Sequence, residues 1–254
     1  MTTETDVSVV TGASRGIGLA MVTLLLERNS AARVYAVSRR ATEEPALQRL
    51  ARDHGERLHC VAADCALEAD LLRLGNDLRT RERRLHRVIH CAGLLHDSNQ
   101  GLQPEKKLEQ VNAAALETLF RINSIAPILL ARECLPLLQH DRPSWFASLS
   151  ARVGSIGDNH LGGWYGYRAS KAAQNQLLRT LAIEARRRAP LLTCLTLHPG
   201  TVTTALSQPF RRNIAPNKLV SAEQAAADLL ALMARTTPAD SGRFLARDGS
   251  DIPW

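Results

Sequence analysis

With 254 residues, 45% of them hydrophobic and 22% charged, the chain has the composition of an ordinary folded protein and not of a disordered one. Five cysteines (Cys60, Cys65, Cys91, Cys134, Cys194), an odd number with no C-x-x-C pair, argue against a disulfide framework or a zinc site and suit a reducing cytoplasm. The formal charge of +7 gathers in arginine clusters at 79–84, 186–188 and 211–212; without interleaved aromatics or a nucleic-acid motif these read as solvated helix faces.

The polar, acidic start MTTETD lacks the basic end and apolar core of a signal peptide. No apolar run approaches the ~20 residues that span a bilayer, so no membrane partner is expected. Val7–Thr11 is an apolar run of the kind found in buried parallel strands. It leads into T-G-A-S-R-G-I-G (Thr11 to Gly18) and a helical apolar pattern through Leu26. Strand, glycine-rich turn and helix form the frame of a dinucleotide-binding loop. Gly12 allows the tight turn, Gly16 a close approach of backbone to pyrophosphate, and Gly18 close helix packing. Ser14, Arg15 and Ile17 complete the loop, and the free N–H groups of the helix face the phosphates.

Arg33–Ser38 is the second strand, followed by Arg39 and Arg40. An acid at this strand end binds a ribose 2′-hydroxyl, whereas an arginine accommodates a 2′-phosphate. Arg15, Ser38 and Arg39 therefore favour NADP(H) over NAD(H), the alternative being arginines that merely solvate a loop. Leu58–Ala62 is a third strand, with Asp64 and Cys65 just beyond it. Asp64 is either an acceptor for an adenine amino group or the N-cap of the next helix. A helical, Arg-rich stretch (Leu67–Arg84) precedes a fourth strand, Arg87–Cys91, closed by Cys91, Ala92 and Gly93, whose small side chains let a flat ligand lie against backbone.

Asn112 is an expected N-cap, and Pro127 predicts a kink near Asn123. Asn123 either bonds backbone freed by that kink or holds a water. Ser144–Leu149 is another strand, with Ser150 at its end. Tyr167 and Lys171 lie four residues apart and share a helix face, with helical periodicity clear from Ala172 to about Arg188. A phenol beside a fixed ammonium makes a proton donor that works near neutral pH; lowering a tyrosine by about three units takes roughly 4 kcal/mol. Leu192–His198 is a further strand ending in Pro199 and Gly200, followed by a polar connection, 201–220, that suits a substrate lid. Ser221 to Gln224 has the pattern of a capping box opening a last helix, and Gly242–Ala246 is a closing strand.

Strands and helices alternate throughout, with neither repeat nor linker. The expected fold is a single-domain doubly wound parallel sheet (1–254) with helices on both faces, and its ligand site lies beyond the carboxyl ends of the strands.

At this point the chain resembles the short-chain dehydrogenase/reductase family over nearly its whole length. The resemblance rests on T-G-x-x-x-G-x-G at Thr11 to Gly18, Asn123, Ser150, Y-x-x-x-K at Tyr167 and Lys171, and P-G at Pro199 and Gly200. L-L-H-D (Leu94 to Asp97), R-V-G-S-I-G-D-N (Arg152 to Asn159) and the D-G-x-x-I-P-W ending resemble its C-factor and sniffer-type carbonyl reductase subgroup. Two departures stand out. The family's N-N-A-G is here His90-Cys91-Ala92-Gly93, and Ser150 precedes Tyr167 by seventeen residues where the family more often has thirteen. Ser148 and Ser155 are rivals to Ser150.

The resemblance implies hydride transfer between NADP(H) and a carbonyl or alcohol, in which Ser150 binds the substrate oxygen and Tyr167 is the general acid. It further implies that Lys171 holds the nicotinamide ribose and depresses the Tyr167 pKa, and that Asn123 positions a water. Pro199, Gly200, Val202 and Thr204 would fix the nicotinamide, no metal would take part, and assembly would be a homodimer or homotetramer. The competing reading is a C-factor-like signalling protein that keeps the fold with little turnover.

Overall fold

The computed structural model describes residues 5–209, 215 and 219–254. Seven strands form one parallel sheet in the order β3-β2-β1-β4-β5-β6-β9. They are β1 (Val7–Thr11), β2 (Arg33–Ser38), β3 (Leu58–Ala62), β4 (Arg87–His90), β5 (Ser144–Leu149), β6 (Leu192–His198) and β9 (Arg243–Ala246). A separate two-stranded parallel pair, β7 (Thr201–Val202) with β8 (Leu219–Val220), ties together the ends of the 201–220 connection. Of the residues expected in a lid, Phe210 to Ile214 and Pro216 to Lys218 lie outside the described residues.

Alternation along each strand sorts side chains to two faces, and both are covered. On one face Val10, Val34, Ala36, Ile89, Ala147 and Leu195 pack under α1 (Gly16–Arg28), α2 (Pro45–His54) and α7 (Ala222–Arg235). On the other, Val9, Val37, Val88, Phe146 and Cys194 pack under α3 (Glu68–Arg81), α5 (Ala126–Leu138) and α6 (Tyr165–Arg188). This is the doubly wound sheet expected from the alternation of elements. The connections run outward in one direction from β1 and in the other from β4. A crevice therefore opens between those two strands at the carboxyl edge.

Several boundaries differ from the sequence reading. The helix after β5 starts at Tyr165, seven residues before its periodicity is plain, because Gly162, Gly163 and Trp164 (φ 64°, 66° and 53°) turn the chain in. Its first turn has no side-chain cap of its own; the buried Glu105 carboxylate accepts the Gly166 N–H instead (3.3 and 3.2 Å to its two oxygens). The capping box at α7 is half made: Ser221 Oγ accepts the Gln224 N–H (3.1 Å), but the Gln224 amide donates to Asp228 (2.7 Å). The kink expected from Pro127 is a π-helical turn, Arg121–Ile125, between α4 (Ala113–Phe120) and α5. Proline lacks the N–H that would bond residue 123's carbonyl, and a widened turn is the usual accommodation. Because the helix runs on through this turn, Ala113–Leu138 has the length and apolarity of a bilayer span, contrary to the sequence reading. Leu130, Ala131, Cys134 and Leu138 of that run are buried in the core beneath the sheet.

Candidate active site

The glycine-rich turn is shaped as a cradle. Gly12 and Gly16 have φ of 66° and 56°, a region that β-carbons disfavour. A Cβ at Gly12 would stand 2.7 Å from Ala92 N, and one at Gly18 2.2 Å from Gly12 O. The loop is therefore pressed against the β4 end by the absence of side chains, and Cys91 N–H donates to Thr11 O (3.1 Å) across the same gap. Arg15 precedes α1 without a side-chain cap, so the first-turn N–H groups at Gly16, Ile17 and Gly18 open onto the crevice. Ser14 is half-buried and Arg15 exposed at this turn. Thr204, following β7, comes over the loop: a Cβ at Gly16 would lie 3.1 Å from its Cγ2.

At the end of β2, the Ser38 hydroxyl is buried with no hydrogen-bond partner, and Arg39 and Arg40 are exposed beside it. Asp64 does not cap α3, whose N-cap is Leu67. Its carboxylate instead accepts the Ala66 N–H (2.9 Å) through Oδ1 in a local turn, and its own N–H is held by Asp70 (2.8 Å). Cys65 and Cys91 are thiols pushed up to about 12 by burial, which suits packing and not reactivity. An orphaned buried hydroxyl, a backbone cradle closed by Cβ exclusion and an uncapped helix start are what a dinucleotide would complete. The residues fit that cofactor.

The other half of the crevice is built by α6 and the π turn. Asn123, fully buried, bonds both backbone groups of Leu94: Oδ1 accepts the N–H (2.8 Å) and Nδ2 donates to the carbonyl (2.8 Å). Its amide also donates to Ser170 Oγ (3.0 Å). Of the two alternatives left open by the sequence, it bonds backbone, but that of the segment after β4 and not that freed by Pro127. Gly93 lies over this cluster, a Cβ there standing 3.5 Å from Asn123 Oδ1 and 3.7 Å from Lys171 Nζ.

Tyr167 and Lys171 project from one side of α6, with the ammonium 6.0 Å from the phenol ring's centroid. Burial pushes the Tyr167 phenol well above its ordinary value and pushes Lys171 down to about 7. Lys171 Nζ donates to Leu149 O (2.9 Å) and to Gln174 Oε1 (2.8 Å), two of its three hydrogens. At this distance one positive charge favours a phenolate by about 3 kcal/mol at an effective dielectric of about 20. A near-neutral phenol requires roughly 4 kcal/mol from its ordinary value and more from the value burial has raised, so Lys171 does not by itself depress Tyr167 as the sequence reading expected. Trp164 meets the Tyr167 ring edge-on, with centroids 6.2 Å apart.

The three candidate serines all face inward. Ser150 Oγ donates to Asn175 Oδ1 (2.7 Å), Ser148 Oγ accepts from Gln174 Nε2 (2.6 Å), and Ser155 Oγ accepts the Asp158 N–H (3.1 Å). Pro199 and Gly200 follow β6 at the same edge, half-buried, and Val202 is buried. The structure thus gathers the sequence candidates along one edge while committing the Ser150 hydroxyl elsewhere. Sequence reasoning missed Glu105, Gln174 and Asn175, which brace α6. Gln174 and Asn175 were within reach as amides three and four residues beyond Lys171; Glu105 is sixty residues away and carries no local signal.

Among the described residues no cluster of histidine, cysteine and carboxylate could hold a metal. The arginine cluster at 79–84 is partly spent on carboxylates, with Arg79 on Glu133, Arg81 on Asp77 and Arg84 on Asp141.

The family model described as short chain dehydrogenase matches residues 6–215. The 1-hydroxy-2-glutathionyl-2-methyl-3-butene dehydrogenase of Rhodococcus sp. (strain AD45) is 32% identical over 67% of this chain and 69% of its own. The benzil reductase ((S)-benzoin forming) of Saccharomyces cerevisiae is 30% identical over 83% of this chain and 76% of its own. The C-signal of Myxococcus xanthus is 31% identical over 58% of this chain and 83% of its own. Among solved structures, the carbonyl reductase Sniffer of D. melanogaster shares the fold, with a TM-score of 0.85 over 98% of this chain and 99% of that one at 24% identity. The NADPH-bound carbonyl reductase from chicken fatty liver superposes with a TM-score of 0.84 at 27% identity over 98% of this chain and 99% of that one.

Proposed function

The chain belongs to the short-chain dehydrogenase family, and from that premise we propose that this NAD(P)-dependent oxidoreductase reduces carbonyl compounds with NADPH, using Tyr167 as proton donor. The observation that carries the reading is Tyr167 set beside Lys171 at the carboxyl edge of the sheet, across from the cradle at Gly12 to Gly18.

The bound dinucleotide supplies the hydride. Gly12, Ser14, Arg15, Gly16, Ile17 and Gly18 bind its phosphates through backbone N–H groups. Ser38 and Arg39 take the 2′-phosphate, for which an unpartnered hydroxyl and an exposed guanidinium are the right chemistry. Asp64 and Cys65 would hold the adenine side, and Cys91, Ala92 and Gly93, with their small side chains, would let it lie against backbone. Pro199, Gly200, Val202 and Thr204 hold the nicotinamide end.

Tyr167 donates its proton to the carbonyl oxygen as negative charge builds there. Lys171 has one hydrogen left beyond Leu149 O and Gln174, and with it holds the ribose. Its charge, worth about 3 kcal/mol at 6.0 Å from the ring, offsets part of what burial adds to the cost of ionising the phenol. Asn123, by clamping Leu94, fixes the Gly93 turn against Lys171, and the water expected of it for proton return would be held by its main chain, since both ends of its side-chain amide are bonded within the protein. Ser150, the expected ligand of the substrate oxygen, has its one hydroxyl hydrogen on Asn175.

The proposal also treats 1–254 as one domain with 201–220 as its lid, cytoplasmic, with neither nucleic acid nor membrane as partner, and assembled as a homodimer or homotetramer. Ile125, in the π turn, and Ile183, on α6, are exposed apolar side chains that such an assembly would cover. The likeness to C-signal favours one other reading, a signalling protein that binds dinucleotide without turning over. Initial rates with NADPH and NADH on benzil, the compound in the yeast relative's name, separate the two. NADPH-preferring turnover supports the reductase; tight NADPH binding with no turnover supports signalling.

A further inference from the structure

We infer that this chain presents no serine to the substrate oxygen: Ala151 occupies the place beside Tyr167, and Ser150 serves to lock α6 to the sheet. The inference rests on the reductase reading above and refines its active site.

The argument starts from strand register. Ser150 continues β5, its N–H donating to Leu197 O (2.8 Å). Phe146, two residues before Ser148 and four before Ser150, packs on the α6 face, so both serines point to that face. Both meet residues of α6 there, Ser148 with Gln174 and Ser150 with Asn175. The Asn175 amide is oriented by a second bond, Nδ2 to Gly154 O (3.3 Å), which leaves only its oxygen for Ser150. A serine has one O–H, and this one is spent at 2.7 Å in a side chain 5% exposed.

Residue 151 is different. Its backbone is extended (φ −138°, ψ 145°), its side chain is half-buried, and it packs against the apolar cluster of Leu95, Leu102, Leu119 and Tyr167. It offers a methyl group where a hydroxyl would share the substrate oxygen with the phenol. The remaining rivals, Ser148 and Ser155, are 0% and 1% exposed and bonded within the protein.

The developing charge on the carbonyl oxygen is therefore met by Tyr167 alone. A single preorganised donor at such an oxygen is commonly worth ~10²–10³-fold in rate. Carbonyls already activated by an electron-withdrawing neighbour need that donor least, so the wild-type chain favours them over simple ketones.

The test is steady-state kinetics with NADPH on benzil, an activated diketone, and on acetophenone, an unactivated one, for wild type, Ala151→Ser, Ser150→Ala and Tyr167→Phe. Ala151→Ser is expected to raise kcat on acetophenone by at least about 10-fold and on benzil by less. Ser150→Ala is expected to lower the melting temperature while kcat falls less than about 10-fold. A kcat for Ala151→Ser within about 2-fold of wild type on both ketones overturns the inference, as does a fall of about 100-fold or more in a folded Ser150→Ala. Ala151→Ser leaves the Ser150–Asn175 bond in place, so it decides the matter even where Ser150→Ala does not fold. Wild type and Tyr167→Phe separate the levels: no turnover by the wild type overturns the reductase reading itself, turnover persisting in Tyr167→Phe overturns Tyr167 as the proton donor, and loss in Tyr167→Phe alongside an inert Ala151→Ser overturns only the assignment of Ala151.

Discussion

Replacing Asn123 with alanine tests how the crevice is held open. The side chain bonds the Leu94 N–H and carbonyl at 2.8 Å each and Ser170 Oγ at 3.0 Å, and it is fully buried. Ser170 Oγ keeps its own bond to Tyr167 O (2.9 Å), so the main loss falls on the two backbone groups of Leu94. Orphaned groups cost about 1–3 kcal/mol each, and Leu94 is only half-buried, so water recovers part of the loss. The expected destabilisation is about 3 kcal/mol, which at a urea m-value of about 3 kcal/mol/M lowers the midpoint by about 1 M. Asn123→Asp keeps the acceptor for Leu94 N–H but sets a carboxylate against Leu94 O, so it should be no more stable than the alanine variant. A shift below about 0.3 M in Asn123→Ala with an unchanged m-value would refute the clamp.

Other expectations follow from single contacts. Gly18→Ala drives a methyl group into Gly12 O, so NADPH affinity measured by fluorescence titration should fall by ~100-fold or more; retained affinity would show that the loop is not the phosphate site. Arg39→Asp should invert the ratio of kcat/KM for NADPH to that for NADH, and an unaltered ratio would leave the basic end of β2 as solvated surface. Stability should fall on acidification. Burial lowers His90 to about 3 and His198 to about 4, below their ordinary value of 6.5. The unfolded chain then binds more protons from about pH 6.5 down to those values, and stability drains across that window at up to about 1.4 kcal/mol per pH unit for each histidine. Calorimetry of His90→Asn should show a shallower decline between pH 6 and pH 4, and a profile as steep as wild type would remove His90 from the account.

The sheet was legible because its signals are local. β1, β2, β3, β5 and β6 coincide with runs read directly from the chain; the central strands are buried on both faces and so are mostly apolar, and β3, at the sheet edge, still carries enough apolar residues to be read. The glycine turn was legible for the same reason, each glycine answering a close backbone approach. What the pattern did not carry were bonds between distant residues. Glu105 bracing the start of α6, Asn123 clamping Leu94 and Asn175 taking the Ser150 hydroxyl each depend on segments brought together only by folding. The serine shows the consequence most sharply: its place at a strand end was plain, but the direction of its hydroxyl was set by an amide twenty-five residues later.

The measurement closest to the central claim is single-turnover hydride transfer from bound NADPH to benzil, followed by the loss of nicotinamide absorbance, for wild type and Tyr167→Phe. The account predicts NADPH-dependent reduction by the wild type and a fall of ~10²-fold or more when the phenol hydroxyl is removed, with NADPH affinity little changed. Equal rates in the two proteins would contradict it, because the proton would then reach the product oxygen by a route that does not involve Tyr167.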